Sequence, residues 1–170
     1  MKKWLVGLAC VGLWAATAMG AINIAPGTPV LENFNTIGTN AAATLPTDWR
    51  AGTSVSVRVV GTYSAGLTAT TQRGSTNIST SASAGVYNFG VLPASTERAV
   101  GFLASSGAIK TGDLMVHLVN SDTEAITNLD ISYNVEKYRN GSNTNGFMVQ
   151  LYYSLDGTNW TSAGATFLTS

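Results

Sequence analysis

The chain is 170 residues long, with nine basic residues, nine acidic residues, one histidine and one cysteine. Charged residues make up only 11% of it, against about 25% in an average globular protein. With no basic excess, the composition argues against a nucleic-acid partner and against electrostatic attachment to an anionic membrane.

The first twenty residues read as a secretory signal. Lys2 and Lys3 form a positive start, "WLVGLACVGLWAATA" an apolar stretch, and "AMG" (Ala18 to Gly20) a small-residue cleavage site, with the cut expected before Ala21. The apolar run is too short for a good membrane span, which takes roughly 20 apolar residues. Removing the signal removes Cys10, so the mature chain has no disulfide, thiol nucleophile or thiolate metal site. It also removes Lys2 and Lys3, leaving seven basic against nine acidic residues, a net charge of −2. Residues 21–170 are enough for a single domain held together by its core alone.

Along the mature chain the hydrophobic pattern alternates and shows no convincing helical period. "SVSVRVV" (Ser54 to Val60) predicts a strand with Val55, Val57 and Val59 on one face. "TYSAGLTATTQRGSTNISTSASAG" (Thr62 to Gly85) has few apolar anchors and reads as a long surface loop with a short edge strand at most. "RAVGFLAS" (Arg98 to Ser105) and "DLMVHLVN" (Asp113 to Asn120) predict short apolar strands. "TNLDISYNVEKY" (Thr127 to Tyr138) sets Leu129, Ile131, Tyr133 and Val135 opposite Asp130, Ser132, Asn134 and Glu136. "GFMVQLYYSL" (Gly146 to Leu155) sets Phe147, Val149, Leu151, Tyr153 and Leu155 on one side. Turn residues separate these segments, in "SSG", "KTGD", "NSDTE", "RNGSNTN" and "LDGT". Short strands at this spacing predict an all-β fold, an antiparallel β-sandwich or jelly-roll-like arrangement. "WTSAGATFLTS" starts another strand and stops, so the expectation is a domain cut at its C-terminal edge.

The densest motif is "YYSLDGTNW" (Tyr152 to Trp160). Asp-Gly between alternating apolar residues is a hairpin signal, because the turn needs a positive φ that glycine adopts cheaply. A two-residue loop would set Tyr153 opposite Trp160 and put the indole in the core. A three-residue loop would set Tyr152 opposite Trp160 and expose both as an aromatic pair of the kind that stacks on sugars. Burial of so large a ring favours the core reading. Ser154, Asp156 and Trp160 also follow the Asp-box turn of secreted β-proteins, one residue shorter than its usual pattern.

Catalytic chemistry has little to stand on. His117 lies inside an apolar strand, and no nucleophile-elbow pattern supplies a serine for a triad. One histidine and no cysteine leave no zinc or copper set. No cofactor is expected. Asp122 and Glu124 in "NSDTE" could contribute to a calcium site, but their spacing matches no known loop and places none. Paired carboxylates for glycoside hydrolysis stay formally open. The polar loop "RNGSNTNG" (Arg139 to Gly146) beside Tyr138 offers amides that could bond sugar hydroxyls.

In order, "LENFNTIG", "TLPTDWRAG", "GVYNFGV", "STERAVGFLASSG", "ITNLDISYNVEKYRNG" and "VQLYYSLDGTNW" cover Leu31 to Trp160. This run resembles the secreted N-terminal β-sandwich module of bacterial surface and extracellular proteins that carry C-terminal sorting signals. The resemblance implies a β-sandwich and export, with further strands following the hairpin in family members and absent from this sequence. Its motifs are strands and turns, so it implies no activity.

The sequence thus predicts an exported, non-catalytic module at the cell surface or outside the cell, with polysaccharide or a surface glycan as partner. Trp160, Tyr152, Trp49 and Tyr138 are its candidate binding residues. The competing expectations are a structural spacer without a ligand and, behind it, a carboxylate-dependent secreted glycoside hydrolase.

Overall fold

The computed structural model describes residues 21–75, 82–91, 93, 96–105, 107–139 and 147–169. The expected signal and the "RNGSNTN" loop beyond Arg139 lie outside them. The described chain is built from strands, with helical structure limited to two short 3-10 turns at Asn35–Ile37 and Tyr63–Ala65. The strands are β1 (Ile22–Ile24), β2 (Trp49–Ser54), β3 (Gln72–Arg73), β4 (Gly85–Gly90), β5 (Arg98–Leu103), β6 (Thr111–Val116), β7 (Leu118–Asn120), β8 (Phe147–Tyr153) and β9 (Thr161–Thr169). They form small sheets ordered β1-β7, β2-β6, β3-β4-β5 and β8-β9. The all-β expectation holds. Two pairings, β1 with β7 and β3 with β4, are parallel rather than antiparallel.

The core lies where β2 meets β4 and β5. Leu45, Ala51 and Val86 are buried, and Trp49, Val100 and Phe102 pack around them. Alternation sends one set of side chains to each face of a strand. Val86 pairs with Phe102 and Asn88 with Val100 on the core face of β4 and β5, leaving Tyr87 and Phe89 on the other.

Three predicted strands come out differently. β2 ends at Ser54, where the alternating valines begin. The Ser56 amide bonds Ser54 Oγ at 3.1 Å, and Arg58 turns the chain at φ 56°, so Val55, Val57 and Val59 stand exposed in a turn. A local hydroxyl bond and a left-handed residue override the period of two. "DLMVHLVN" is broken at His117, because the ladder changes partner there. The His117 amide bonds the Asp48 carbonyl at 3.1 Å, and the His117 carbonyl accepts from Ile22 at 2.9 Å. β6 therefore belongs to β2 and β7 to β1. "TNLDISYNVEKY" joins no ladder, and Leu129, Ile131, Tyr133 and Val135 are exposed. Alternation marks a segment able to pair, but a ladder also needs a neighbouring edge at the right distance.

The expected long loop at Thr62 to Gly85 is partly packed. Tyr63 and Thr70 are buried, the Leu67 amide bonds Ala51 O at 2.7 Å, and the Thr71 amide bonds Val86 O at 2.8 Å. Backbone bonding to the core strands replaces the apolar anchors this segment lacks.

Candidate functional site

The Asp156 turn is longer than either expected hairpin. Tyr153 pairs with Thr161 and Tyr152 with Ser162, so residues 154–160 make a seven-residue loop and Trp160 faces neither tyrosine across a ladder. Asp156 organises it. Its carboxylate accepts from Ser154 Oγ at 2.9 Å, from the amides of Thr158 and Asn159 at 2.8 and 2.7 Å, and from Asn159 Nδ2 at 2.7 Å. Gly157 follows at φ 71°, the conformation for which glycine is suited. Leu155, expected on the apolar side, is 99% exposed at the loop tip. The side chain that reaches ahead to bond amides needs room that a two-residue turn does not give.

The amides, asparagine and serine hold the Asp156 carboxyl far below the usual carboxylate range, with the Asn159 amide foremost. A depressed folded-state value means stability that is present above the unfolded value and lost as pH falls through the folded one. Asp156→Asn is therefore expected to melt lower than wild type at neutral pH. The gap should close on acidification below about pH 4, the ordinary aspartate value. Melting curves across that range check it, and a constant gap would show that charge plays no part.

The same turn docks onto residues 61–63. Trp160 Nε1 donates to Gly61 O at 2.8 Å, and the Tyr63 amide donates to Gly157 O at 2.9 Å. The Gly61 amide in turn donates a long 3.4 Å bond to Asp113 Oδ2 on β6. The half-buried Trp160 is thus an anchor for the β8-β9 hairpin, and its N–H is spent on the protein. Tyr152 is half-buried beside Ser162, and the two residues offered as an exposed pair make no ring contact.

Asp113 Oδ1 is buried without a hydrogen-bond partner, and desolvation raises the carboxyl's pKa against a smaller opposing effect of the Gly61 amide. A raised folded-state value works in the opposite sense to Asp156. The stability is present while the acid is protonated and is lost as pH rises through the folded value. Asp113→Asn, neutral at every pH, should gain in melting temperature over wild type as the medium goes from acid to neutral. An unchanged difference across that span would contradict the assignment.

Trp49 meets Phe34 edge to face at 4.9 Å and belongs to the core shell. His117 lies against Tyr63 with ring centroids 5.5 Å apart, and Tyr63 Oη donates to the Asp48 carbonyl at 2.8 Å. Asp122 bonds the amide of Glu124 at 3.2 Å and the hydroxyl of Thr123, a local turn like that at Asp156. A cleft of about 450 Å³ opens between Leu129, Asp130, Ile131 and Ser132 on one side and Leu151 and Ala163 on the other. None of the four predicted binding residues lines it.

Tyr138 is placed differently. It lies flat on Phe89, centroids 4.6 Å apart and planes within 3°, and Phe89 lies on Tyr87 at 4.9 Å and 11°. The three rings form one stack on the outer face of β4. Gly101 on β5 makes the room, since a methyl group there would sit 2.8 Å from two Phe89 ring carbons. Tyr138 Oη donates to Glu136 Oε2. Burial and this carboxylate push the phenol's pKa well above its ordinary value. Tyr87 and Phe89 stand two apart in "VYNFG", a spacing that puts both rings on one strand face and could have been read from the sequence. Their union with Tyr138 needs the tertiary fold.

Behind the stack, on the core face, β4 carries a buried polar network. Asn88 Oδ1 accepts from Arg98 Nε at 2.9 Å and Nη2 at 2.6 Å, and Asn88 O accepts from Nη2 at 2.9 Å. Asn88 Nδ2 donates to the carbonyls of Gly38 and Asn40 at 3.0 and 2.9 Å, and the Arg98 amide donates to Asn35 Oδ1 at 2.9 Å. The network ties the 35–40 segment to the sheet that holds the rings.

No family model matches the chain, nor does any curated protein or solved structure.

Proposed function

We propose that this chain is an exported, non-catalytic β-sandwich module that binds polysaccharide or a cell-surface glycan. The observation that carries the reading is the Tyr87–Phe89–Tyr138 stack, a set of parallel aromatic faces on a rigidly braced strand. Flat rings present apolar faces to the C–H side of a pyranose, and a surface rich in Ser, Thr and Asn supplies hydroxyl and amide partners. The signal-like first twenty residues and the family resemblance of Leu31 to Trp160 support export and a sandwich in which the small sheets pack as two layers.

The test is retardation of the mature chain in native gels cast with single soluble polysaccharides: a neutral β-glucan, a mannan and polygalacturonate. Slower migration in one of them, reversed by its free oligosaccharide, is expected. Unchanged mobility in all three would favour the second reading, a spacer domain. That reading draws on the commitment of both mature tryptophans to internal contacts, Trp160 to Gly61 and Trp49 to Phe34.

A further inference from the structure

We infer that Tyr138 is a displaceable cover occupying the place of a sugar ring, and that the surface a saccharide stacks on is the face of Phe89 beneath it. This inference rests on the glycan-binding reading above and adds where the ring sits and what guards the place. Tyr87 and Phe89 are buried, whereas Tyr138 is only half-buried, so the lower rings form part of the body and the upper ring closes them off. The two lower rings stand on a strand bonded on both sides, to β3 and β5. Tyr138 comes from a segment, residues 125–139, that joins no ladder.

The hydrogen bonding separates cover from platform. The Tyr138 hydroxyl donates to Glu136, two residues back on its own segment, and to nothing on the sheet. Swinging the segment away therefore carries donor and acceptor together and breaks no side-chain hydrogen bond between Tyr138 and β4 or β5. What is lost is the ring contact with Phe89, an interaction of the same kind that a pyranose face would restore. A planar six-membered ring at 4.6 Å from Phe89 has the shape and spacing of the sugar it stands in for. The bland alternative makes Tyr138 the exposed platform itself, and the two assignments differ in sign.

If Tyr138 covers the site, each molecule must open before it binds, and apparent affinity is reduced by the fraction that is open. Removing the ring should tighten binding, and a stronger stacker should weaken it. The stack's worth beyond burial sets the scale, about three- to tenfold in each direction. The measurement is the dissociation constant of wild type, Tyr138→Ala and Tyr138→Trp for the same three polysaccharides, by gel retardation and calorimetry. Tighter binding by Tyr138→Ala together with weaker binding by Tyr138→Trp is the expected result, as is binding by Tyr138→Ala of a glycan that wild type ignores. The reverse order makes Tyr138 the platform and overturns the cover while leaving glycan binding intact, and equal affinities overturn it likewise. No binding by any of the three proteins removes both. Should Tyr138→Ala not fold, Tyr138→Trp keeps the sign of the effect readable.

Discussion

Asn88→Ala is expected to cost about 3–5 kcal/mol of stability, the range for leaving one partner of a buried charged pair behind. Asn88 is fully buried and Arg98 is 4% exposed, so neither is rescued by water when the other goes. The substitution removes the acceptor of Arg98 Nε and one of the two acceptors of Nη2, and it strands the carbonyls of Gly38 and Asn40. Arg98 Nη1 already lacks a partner among the described residues. A guanidinium held in the interior by one remaining carbonyl is the costly product. Arg98→Met makes the instructive contrast, since it takes the charge out together with its donors. It leaves Asn88 short of a donor, at about 1–3 kcal/mol. Urea unfolding of both variants decides the matter. If Arg98→Met is the more damaging, the arginine is stabilising by itself and the network has been misjudged.

Trp160→Ala is expected to cost about 2–3 kcal/mol, below the 3–5 of a fully buried aromatic because the indole is half-buried. Trp160→Phe keeps most of the ring's area and loses the bond to Gly61 O, which is worth about 1 kcal/mol. Comparing the two separates packing from hydrogen bonding. A Trp160→Ala variant as stable as wild type would mean that the turn is not anchored through this residue. Acrylamide quenching in a Trp49→Phe background gives an independent reading, with partial shielding of Trp160 expected.

The two stabilising centres serve the ring stack in different ways. The Asn88–Arg98 network fixes β4 from behind, and the Asp156 turn ties the last hairpin to the loop after β2. Because the carboxylates Asp156 and Asp113 have their folded-state pKa values displaced in opposite directions, their pH dependences partly offset each other.

Much of the architecture follows from local pattern. Alternation and turn residues are short-range signals, and they sufficed for the all-β class, for β5, β8 and β9, and for the turn at Asp156 and Gly157. They failed where a competing local bond or a distant partner decides. The valines of "SVSVRVV" lost to a serine bond and to the turn at Arg58. The break at His117 depends on Asp48 and Ile22, the latter nearly a hundred residues away in the chain. Of the four aromatic residues singled out by composition and turn context, the fold commits Trp49 and Trp160 to packing and leaves Tyr152 beside Ser162. Only Tyr138 is brought into a stack, by contact with a phenylalanine 49 positions earlier.

The sequence by itself determined which segments can be strands, where the chain turns, and how little charge or thiol chemistry is on hand, because each depends on residue type and near neighbours. Only the tertiary structure decided which edges pair, which rings meet and which buried amide receives the arginine, because those depend on distances between segments that no local pattern encodes.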